Sequence, residues 1–524
     1  MVNEPSSTPR KLWSMSVILK NVTSSWASIL VGIAMAFILA PLTVRALGDQ
    51  YYGVWTLLMQ LTGYLWLFDF GVRESVVKYV AQHHANDEHD RVNSVVNTAV
   101  SIYSVVSLAT LILSAVLALA LPYAFNIPAD ASTTARLTAL LVGATVAQYF
   151  VFNVFIGVVA GLQKFYVLAR LGMVFTIIRG VLTYVLLTAG YGIVTLALLQ
   201  FTIALVQNLY TYRVSRALLP YLSLHPAWPK REEAVRLLNY GKYVLISNIG
   251  DKVVFASDSI IVGIFLPISA LTFYAIGGSL IEQFRSFVMS MAAVVNPLTS
   301  SLEARQEARS LALVVTNGAR AAMLVGLPIC IGFFLLGKVF IGLWMGPQYA
   351  EPAGQILVVL AVGHLIGLPY YTISGVLYGL GRHHVVAYSR IFEGVVNLTM
   401  SVVLVQMYGL VGVAFGTVIP HVVVAAGILP TLLSRWVPIN LRHYYVSTYL
   451  RPFLASLPFW GACWFIASEV RPADFPTFFL SVGIALAAYI VPCWFVVLSS
   501  DERTGLTTAI RHRLAGRRPV EGVS

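Results

Sequence analysis

The sequence contains few charged residues. Asp, Glu, Lys and Arg make up 11% of its 524 residues, whereas about 25% is usual for a soluble globular protein. Hydrophobic residues make up 58%, and the mean hydropathy is +0.79. This composition excludes an ordinary soluble domain and predicts a polytopic membrane protein.

The sequence also has little cysteine. Its three cysteines, Cys330, Cys463 and Cys493, lie in apolar runs, so we expect no disulfide framework and no cysteine metal site. We find no pairing of a nucleophile with a base and no loop that would cradle a phosphate. The connections on the side predicted to be outside are too short for a polymerase or glycosyltransferase domain. We therefore expect neither an enzyme nor a bound cofactor.

A cleavable signal is missing as well. The first apolar run, Trp26 to Val44, is long enough to cross a bilayer, and no small-residue cleavage site follows it. We expect this run to be retained as the first span.

Long apolar runs dominate the rest of the chain. Each is close to the twenty residues that a membrane helix needs, and together they predict an all-α protein with about fourteen transmembrane helices. The predicted cores are residues 22–44, 53–72, 94–121, 136–159, 166–188, 192–213, 243–266, 270–296, 318–343, 356–378, 385–407, 410–433, 452–468 and 476–499.

The basic residues collect in every second connection. The net charge of +12 is therefore explained by membrane topology, and we expect no nucleic-acid partner. The positive-inside rule predicts a multi-pass protein of the cytoplasmic (inner) membrane with both termini in the cytoplasm.

Two sequence segments recur about 218 residues apart. GVVAGLQK at residues 157–164 returns as GVLYGLGR at 375–382, and YGIVTLA at 191–197 returns as YGLVGVA at 408–414. An offset of six helices keeps both copies in the same orientation, which predicts two pseudo-symmetric six-helix lobes with a cavity between them.

The repeat also predicts the domain boundaries. The connection between the lobes carries Pro226 and Pro229 before a basic amphipathic stretch, which predicts a surface helix. The predicted order is an N-terminal lobe at 1–213, a cytoplasmic amphipathic linker at 214–241, a C-terminal lobe at 242–434, two extra spans at 435–499 and a basic cytoplasmic tail at 500–524.

Several predicted spans carry polar residues at helical spacing, which places each set on one face. Thr62, Trp66, Asp69 and Arg73 have this spacing on span 2. The other polar faces are Asn21, Ser25, Ser28 and Gly32 on span 1; Gly172, Thr176, Arg179 and Thr183 on span 5; Asn248, Asp251 and Asp258 on span 7; Glu282, Arg285 and Ser286 on span 8; and Arg390, Glu393, Asn397 and Ser401 on span 11.

These polar faces need a polar environment. An intramembrane charge costs roughly 2.5–3.5 kcal/mol, so the nine ionisable residues predicted within spans would together cost on the order of 25 kcal/mol if they faced lipid. We therefore expect them to face each other or a hydrated central cavity.

Some of these polar residues, and the repeated glycines, also have a structural interpretation. Arg390 and Glu393 have the spacing of a local ion pair. His364 and His421 are single residues in apolar helices and are interpreted as hydrogen-bonded packing residues. The glycine pairs of the repeat, at 157/161 and 375/379, favour helix–helix contacts.

Several motifs, in this order, resemble the Wzx-type oligosaccharide flippases of the MOP exporter superfamily. No single motif is specific, and the order and spacing carry the resemblance over almost the whole chain. The motifs are Asn21, Pro41, RALG at 45–48, YGVW at 52–55, DFG at 69–71, KYVA at 78–81, NYG at 239–241, Asp258 and the repeated GLQK/GLGR.

This resemblance implies a MATE/MOP-like fold and a transport function. The expected function is alternating-access transfer of a polyprenyl-diphosphate-linked oligosaccharide from the inner to the outer leaflet, for surface or exopolysaccharide biosynthesis. Expected partners are the lipid-linked oligosaccharide, membrane lipids, a polysaccharide polymerase and other assembly proteins. The related lipid II flippases carry two additional helices, which implies that spans 13 and 14 guide the lipid tail.

The chemistry of this substrate selects the candidate site residues. A diphosphate requires cationic donors, and sugars require many hydrogen-bond partners. The candidate substrate-binding residues of the cavity are Arg179, Arg285, Asp69, Asn248, Glu282, Arg390, Glu393 and Asn397. The candidates for binding a coupling proton or Na⁺ are Asp251, Asp258 and Glu282.

Two other functions are compatible with the helix count. A cation-coupled multidrug exporter of the same superfamily would favour an apolar, acidic cavity, whereas arginines are interleaved with the acids here. A passive lipid scramblase differs from a transporter by lacking ion coupling.

Overall fold

Helices account for almost all of the described backbone. The computed structural model describes residues 15–225, 231–292, 295–500, 502–504 and 507–508, and no strand occurs within these ranges. The chain divides into two compact units, Met1–Thr272 and Phe273–Ser524. The prediction of an all-helical polytopic membrane protein is confirmed.

The N-terminal unit contains seven helices within its described residues. A 3₁₀ turn, Trp66–Asp69, follows the first helix. The helices are α1 (Met15–Leu65), α2 (Val72–Ala85), α3 (His89–Ala124), α4 (Ala129–Gly161), α5 (Phe165–Thr188), α6 (Ile193–Leu218) and α7 (Arg231–Phe265).

The chain enters the C-terminal unit within α8 (Ala270–Ala292). Four short π-helical segments interrupt the later helices, at Val423–Ile428, Val446–Leu450, Ile466–Val470 and Cys493–Val497. The remaining helices are α9 (Val295–Ala304), α10 (Ala308–Trp344), α11 (Pro347–Gly367), α12 (Pro369–Gly379), α13 (His383–Val422), α14 (Leu429–Leu433), α15 (Leu441–Tyr445), α16 (Arg451–Ala455), α17 (Leu457–Phe465) and α18 (Phe475–Pro492).

Twelve of the fourteen predicted spans overlap described segments that are long and apolar enough to cross a membrane. Ten segments of the described chain are long and apolar enough to cross a membrane. Two of these ten bend at a glycine with positive φ, Gly48 in α1 and Gly409 in α13. Each bend separates two predicted spans. Predicted spans 7 and 8 overlap α7 and α8, which are not among these ten segments.

Backbone geometry supports the internal repeat. Positive φ angles occur at equivalent turns of the two halves, where the chain passes from one helix to the next. The equivalent residues are separated by 219, 218 and 219 positions and are Asp87 and Gln306, Gln163 and Gly381, and Gly190 and Gly409. Each half therefore passes through the same sequence of helices and turns.

The connection between the repeats differs from its prediction. The stretch predicted as a separate surface helix is the first part of α7. The carboxylate of Glu233 accepts hydrogen bonds from Ser94 (2.5 Å) and Thr98 (3.1 Å) and fixes this end of α7 on α3. Asn93 and Asn97 also exchange hydrogen bonds with the backbone that follows α6. The domain boundaries proposed from the sequence stay predictions.

The glycine pair of the first repeat packs α4 against α2. A Cβ atom added to Gly161 would lie 2.9 Å from the carbonyl oxygen of Val77, and one added to Gly157 would lie 3.0 Å from Cγ1 of Val76. The helices therefore approach more closely than any larger residue allows. This confirms the predicted helix contact for the first pair.

We expect Gly161→Leu to destabilise the N-terminal unit. The clash is with backbone, which cannot rotate away, so the loss should reach about 1–3 kcal/mol or more. Gly461→Leu in α17 is the matched control, because no described atom lies within 4 Å of a Cβ built there. Thermal unfolding in detergent measures both. Equal stability of the two variants would contradict the close contact.

Candidate functional site

The predicted polar face of span 2 is interrupted at Asp69. The helix ends at Leu65, the 3₁₀ turn follows, and Phe70 and Gly71 both have positive φ angles of 50° and 66° before α2 begins. The prediction that Arg73 shares one helix face with Asp69 is therefore wrong. Two consecutive left-handed residues turn the chain between them.

The side chain of Asp69 links this turn to two other helices. The hydroxyl of Tyr103 on α3 donates to Oδ1 of Asp69, and Nδ2 of Asn153 on α4 donates to the same oxygen at 3.2 Å. The backbone N–H of Arg73 donates to the Tyr103 hydroxyl at 2.9 Å. Tyr103 and Asn153 are buried. Asp69 therefore stabilises a helix break from inside the unit.

The other candidates of the N-terminal unit lie on α5 and α7. Arg179 is on an exposed face of α5, and no carboxylate of the described residues forms an ion pair with it. Asp258 is buried on α7, with 6% of its surface exposed. The side chains of Asn248 and Asp251 lie outside the described residues, so their roles stay predictions.

In the C-terminal unit, Glu282 and Arg285 form an ion pair on α8. Nη2 of Arg285 donates to Oε1 of Glu282 at 2.5 Å, and Nε donates to Oε2 at 2.8 Å. Such a two-point contact fixes the orientation of the guanidinium plane. The Arg285 side chain is 16% exposed and that of Glu282 is 50% exposed, so one side of the pair stays accessible.

A second arginine–glutamate pair is buried on α13. Nη1 of Arg390 donates to both carboxylate oxygens of Glu393, at 3.2 and 3.3 Å. Nδ1 of His421 lies 2.8 Å from Oε1 of Glu393. The side chains of Arg390, Glu393 and His421 are 8%, 1% and 5% exposed. The local ion pair anticipated from the sequence is present, and an imidazole joins it.

An aromatic ring packs on the buried ion pair, and the pair on α8 lies within electrostatic range of the neighbouring tyrosine. The Arg390 guanidinium lies 4.1 Å from the ring centre of Tyr370 on α12, which is a cation–π contact. The neighbouring phenol of Tyr371 interacts electrostatically with both pairs. The rings of His364 on α11 and His421 are 5.5 Å apart. The C-terminal unit thus gathers charges from four helices into one cluster, which we call the Arg285–Arg390 cluster: Glu282, Arg285, His364, Tyr370, Tyr371, Arg390, Glu393 and His421.

The remaining polar residues of α13 have contacts inside their own helical hairpin. Nδ2 of Asn397 donates to Oγ1 of Thr417 at 3.1 Å. A Cβ added to Gly416 would lie 2.1 Å from Oγ of Ser401. Asn397 and Ser401 therefore hold the two arms of bent α13 together. The substrate-binding role of Asn397 stays a prediction.

Sequence reasoning did not identify two members of the cluster. Tyr370 and Tyr371 follow a proline in an otherwise apolar helix, where no periodic polar signal marks them. His421 is interpreted from the sequence as a packing residue, because it is a single histidine in an apolar helix. Its partner Glu393 is 28 positions away in the chain, so no local spacing indicates the contact. No group of three metal-ligating side chains occurs within the described ranges.

Comparison with known proteins identifies the family. A profile described as "Polysaccharide biosynthesis protein" matches residues 18–303, which is more than half of the chain. The chain belongs to the polysaccharide biosynthesis protein family. The resemblance recognised in the sequence motifs agrees with this assignment.

Relatives in this family include two named transporters. The chain is 26% identical over 195 residues to the probable low-salt glycan biosynthesis flippase Agl15 of Haloferax volcanii, covering 37% of this chain and 41% of Agl15. It is 22% identical over 407 residues to a putative O-antigen transporter of Shigella flexneri, covering 75% of this chain and 90% of that protein. The match to Agl15 thus spans about two fifths of that relative's length.

Solved structures of other transporters have a similar fold. The lipid II flippase MurJ, in an inward closed conformation, aligns with a TM-score of 0.68 and 12% identity over 95% of this chain and all of that chain. An inward-facing MATE-family multidrug transporter aligns with a TM-score of 0.62 and 17% identity over 78% of this chain and 97% of that one. At these identities the alignments show a MOP-like polytopic fold.

Proposed function

We propose that this chain moves a polyprenyl-diphosphate-linked oligosaccharide from the inner to the outer leaflet of the cytoplasmic membrane. The transfer proceeds by alternating access and serves surface polysaccharide assembly. Both termini lie in the cytoplasm, and a polysaccharide polymerase uses the product outside. The step breaks no covalent bond, so the chain acts as a transporter and not as an enzyme.

The Arg285–Arg390 cluster is the observation that carries this proposal. A diphosphate bears several negative oxygens, and two guanidinium groups from different helices can bind them at more than one point. Arg285 and Arg390 are each held in place by a glutamate. The two arginine side chains are therefore already ordered, so ligand binding loses less side-chain conformational entropy.

Tyr371 supplies a further argument for a polar ligand. Its hydroxyl is buried and has no hydrogen-bond partner among the described residues. An unsatisfied buried hydroxyl costs about 1–3 kcal/mol. A phosphate or sugar oxygen bound beside Arg285 would accept this hydrogen bond and remove the cost.

An apolar cavity in the C-terminal unit suits the lipid tail. It has a volume of about 600 Å³ and lies between α10, α11 and the helices of predicted span 13. A polyprenyl chain is apolar and gains about 0.8 kcal/mol for each buried methylene. We assign the tail to this cavity, whose lining includes Leu327, Cys330, Val362, Leu365, Tyr449 and Trp460.

Coupling to a proton or Na⁺ is part of the proposal. The buried carboxylate of Asp258 and the accessible carboxylate of Glu282 are the described candidates. Asp251 remains a candidate from the sequence. A passive scramblase would show no dependence on an ion gradient.

Deletion of the gene should cause lipid-linked oligosaccharide to accumulate in the inner leaflet. Arg285→Ala at normal expression should reproduce this accumulation, because the loss of one charge-assisted contact of about 1.5–3 kcal/mol slows transport about 10- to 100-fold. Arg179→Ala tests the N-terminal candidate in the same assay. Leaflet-specific labelling of the oligosaccharide measures the effect.

Arg320→Ala is the matched control for Arg285→Ala. Arg320 also pairs with a glutamate, Glu502, in the C-terminal unit, and neither residue belongs to the cluster. We expect it to affect stability without abolishing transport. Normal surface glycan in the deletion strain, in the absence of a second transporter, would contradict the proposal. Drug sensitivity with normal glycan would instead identify a multidrug exporter.

Val362→Trp should slow the transport of long-tailed substrates. Val362 lines the cavity and is 38% exposed, so the indole can fill the cavity without disrupting the core. Loss of two methylene contacts, each about 0.8 kcal/mol, corresponds to about tenfold slower transport. Val403→Trp, at an exposed position of α13 away from the cavity, is the control. Equal transport rates for both variants would contradict the assignment of the lipid tail to this cavity.

A further inference from the structure

The geometry around His421 points to a proton-binding site at Nε2 that is coupled to anion binding in the Arg285–Arg390 cluster. This inference rests on the proposed function, because the anion is the diphosphate of that substrate class. Its ligand is a proton from water, which adds to the Nε2 lone pair. No covalent bond of the chain breaks when it binds.

The hydrogen bond to Glu393 defines which nitrogen is available. Because a carboxylate accepts and does not donate, Nδ1 of His421 must carry the hydrogen that it shares with Oε1 of Glu393 at 2.8 Å. Nε2 of the neutral ring is then a free acceptor. It is buried and has no hydrogen-bond partner among the described residues.

The backbone next to Nε2 carries no side chain. A Cβ atom added to Gly367 at the end of α11 would lie 2.2 Å from Nε2 of His421. Glycine is therefore the residue that lets the imidazole occupy this position. Gly367→Ala would force the ring to move and would separate Nε2 from its present surroundings.

Charged and titratable groups surround the ring from each neighbouring helix. They are Arg390 and Glu393 on α13, His364 on α11, Tyr370 on α12 and, further away, the Glu282–Arg285 pair on α8. Nδ1 of His364 lies 3.0 Å from the carbonyl oxygen of Leu360 in the preceding turn. Two imidazolium ions at adjacent positions would repel each other, so the histidine pair binds one proton.

Proton binding changes the partner of Glu393. With neutral His421, the charge of Glu393 is balanced by Arg390, whose Nη1 lies 3.2 Å away. A protonated His421 balances the same carboxylate, and the positive charge of Arg390 then becomes available to an anion. Proton and diphosphate therefore strengthen each other's binding, and this effect is reciprocal.

Proton uptake on ligand binding tests the inference. Farnesyl diphosphate, a short polyprenyl diphosphate, is titrated into the full chain in nanodiscs by calorimetry in two buffers of different ionisation enthalpy. We expect uptake of about one proton for each ligand bound. His421→Asn keeps an N–H donor near the Nδ1 position but cannot bind the proton, so uptake should disappear. His443→Asn, the control, changes an exposed histidine of the C-terminal unit outside the cluster and should retain it.

A spectroscopic measurement on the wild-type chain tests the inference even when a variant folds too poorly for calorimetry. In the wild-type chain labelled with ¹⁵N-histidine, the Nε2 signal that is missing in His421→Asn should move to the protonated position when farnesyl diphosphate is added at constant pH. Ligand binding without proton uptake, or uptake that persists in His421→Asn, would overturn the inference and leave the proposed function standing. Failure of farnesyl diphosphate to bind would overturn both.

Discussion

Glu393→Gln should be among the most destabilising single substitutions in the C-terminal unit. It removes the carboxylate charge that pairs with the buried guanidinium of Arg390, and it replaces one of the two oxygens that serve Arg390 and His421 with an amide group that donates. Breaking a buried pair by removing one partner costs about 3–5 kcal/mol. Transport should be lost as well, because Arg390 no longer has a fixed position. Thermal unfolding of the purified protein and the leaflet assay measure the two effects.

A double variant tests whether the buried charge pair is needed for stability, for transport or for both. Arg390→Met combined with Glu393→Leu removes both charges and fills the space with apolar side chains, so most of the stability should return. Transport should stay absent, because the anion has lost one of its two guanidinium groups. Recovery of transport in the double variant would show that the pair only supports the fold.

An exposed ion pair provides the matched control. Nζ of Lys338 lies 2.8 Å from Oε1 of Glu351, and both side chains are about half exposed. Glu351→Gln should change stability by no more than about 1 kcal/mol, because water replaces the lost contact. A similar loss in Glu351→Gln and Glu393→Gln would mean that burial does not determine the effect.

The sequence predicted those features that hydrophobicity and repetition control. Span number follows from the length of apolar runs, since every backbone polar group in a bilayer must be satisfied within a helix. The repeated glycine motif predicted a helix contact, and Gly161 indeed lies against the backbone of α2. These features depend on local sequence and need no knowledge of packing.

The partners of the polar residues depend on tertiary structure and were predicted less well. The spacing of Arg390, Glu393 and Asn397 correctly placed them on one face. That spacing carries no information on which helix the face contacts. Asn397 bonds to the second arm of its own helical hairpin, and Glu393 bonds to His421. The helical period shows which residues share a face of a helix. It does not show which other helix packs against that face.

The break at Asp69 has a similar cause. Uncharged apolar residues precede it, so hydropathy predicted a continuous helix through this position. The left-handed conformation of Phe70, a non-glycine residue, is uncommon. Hydrogen bonds from Tyr103 and Asn153, both distant in sequence, hold the preceding turn in place.

Two substitutions of Asp69 distinguish the role of its hydrogen-bond acceptor from the role of its negative charge. Asp69→Ala removes the acceptor of two buried donors, Tyr103 and Asn153, each costing about 1–3 kcal/mol when unsatisfied. We therefore expect a loss of roughly 2–4 kcal/mol and inactive transport. Asp69→Asn keeps a carbonyl oxygen that can accept both hydrogen bonds, so stability and transport should remain close to those of the wild type. Unfolding temperature and leaflet labelling are measured on each.

Tyr103→Phe tests independently whether the hydrogen bonds of Asp69 stabilise the turn. It removes the hydroxyl that donates to Asp69 and accepts from the backbone N–H of Arg73, while the aromatic ring still packs against Phe150. We expect a smaller loss than in Asp69→Ala, because the hydrogen bond from Asn153 survives. If Asp69→Asn were fully stable yet inactive, the carboxylate charge itself would act on the substrate, as the sequence predicts.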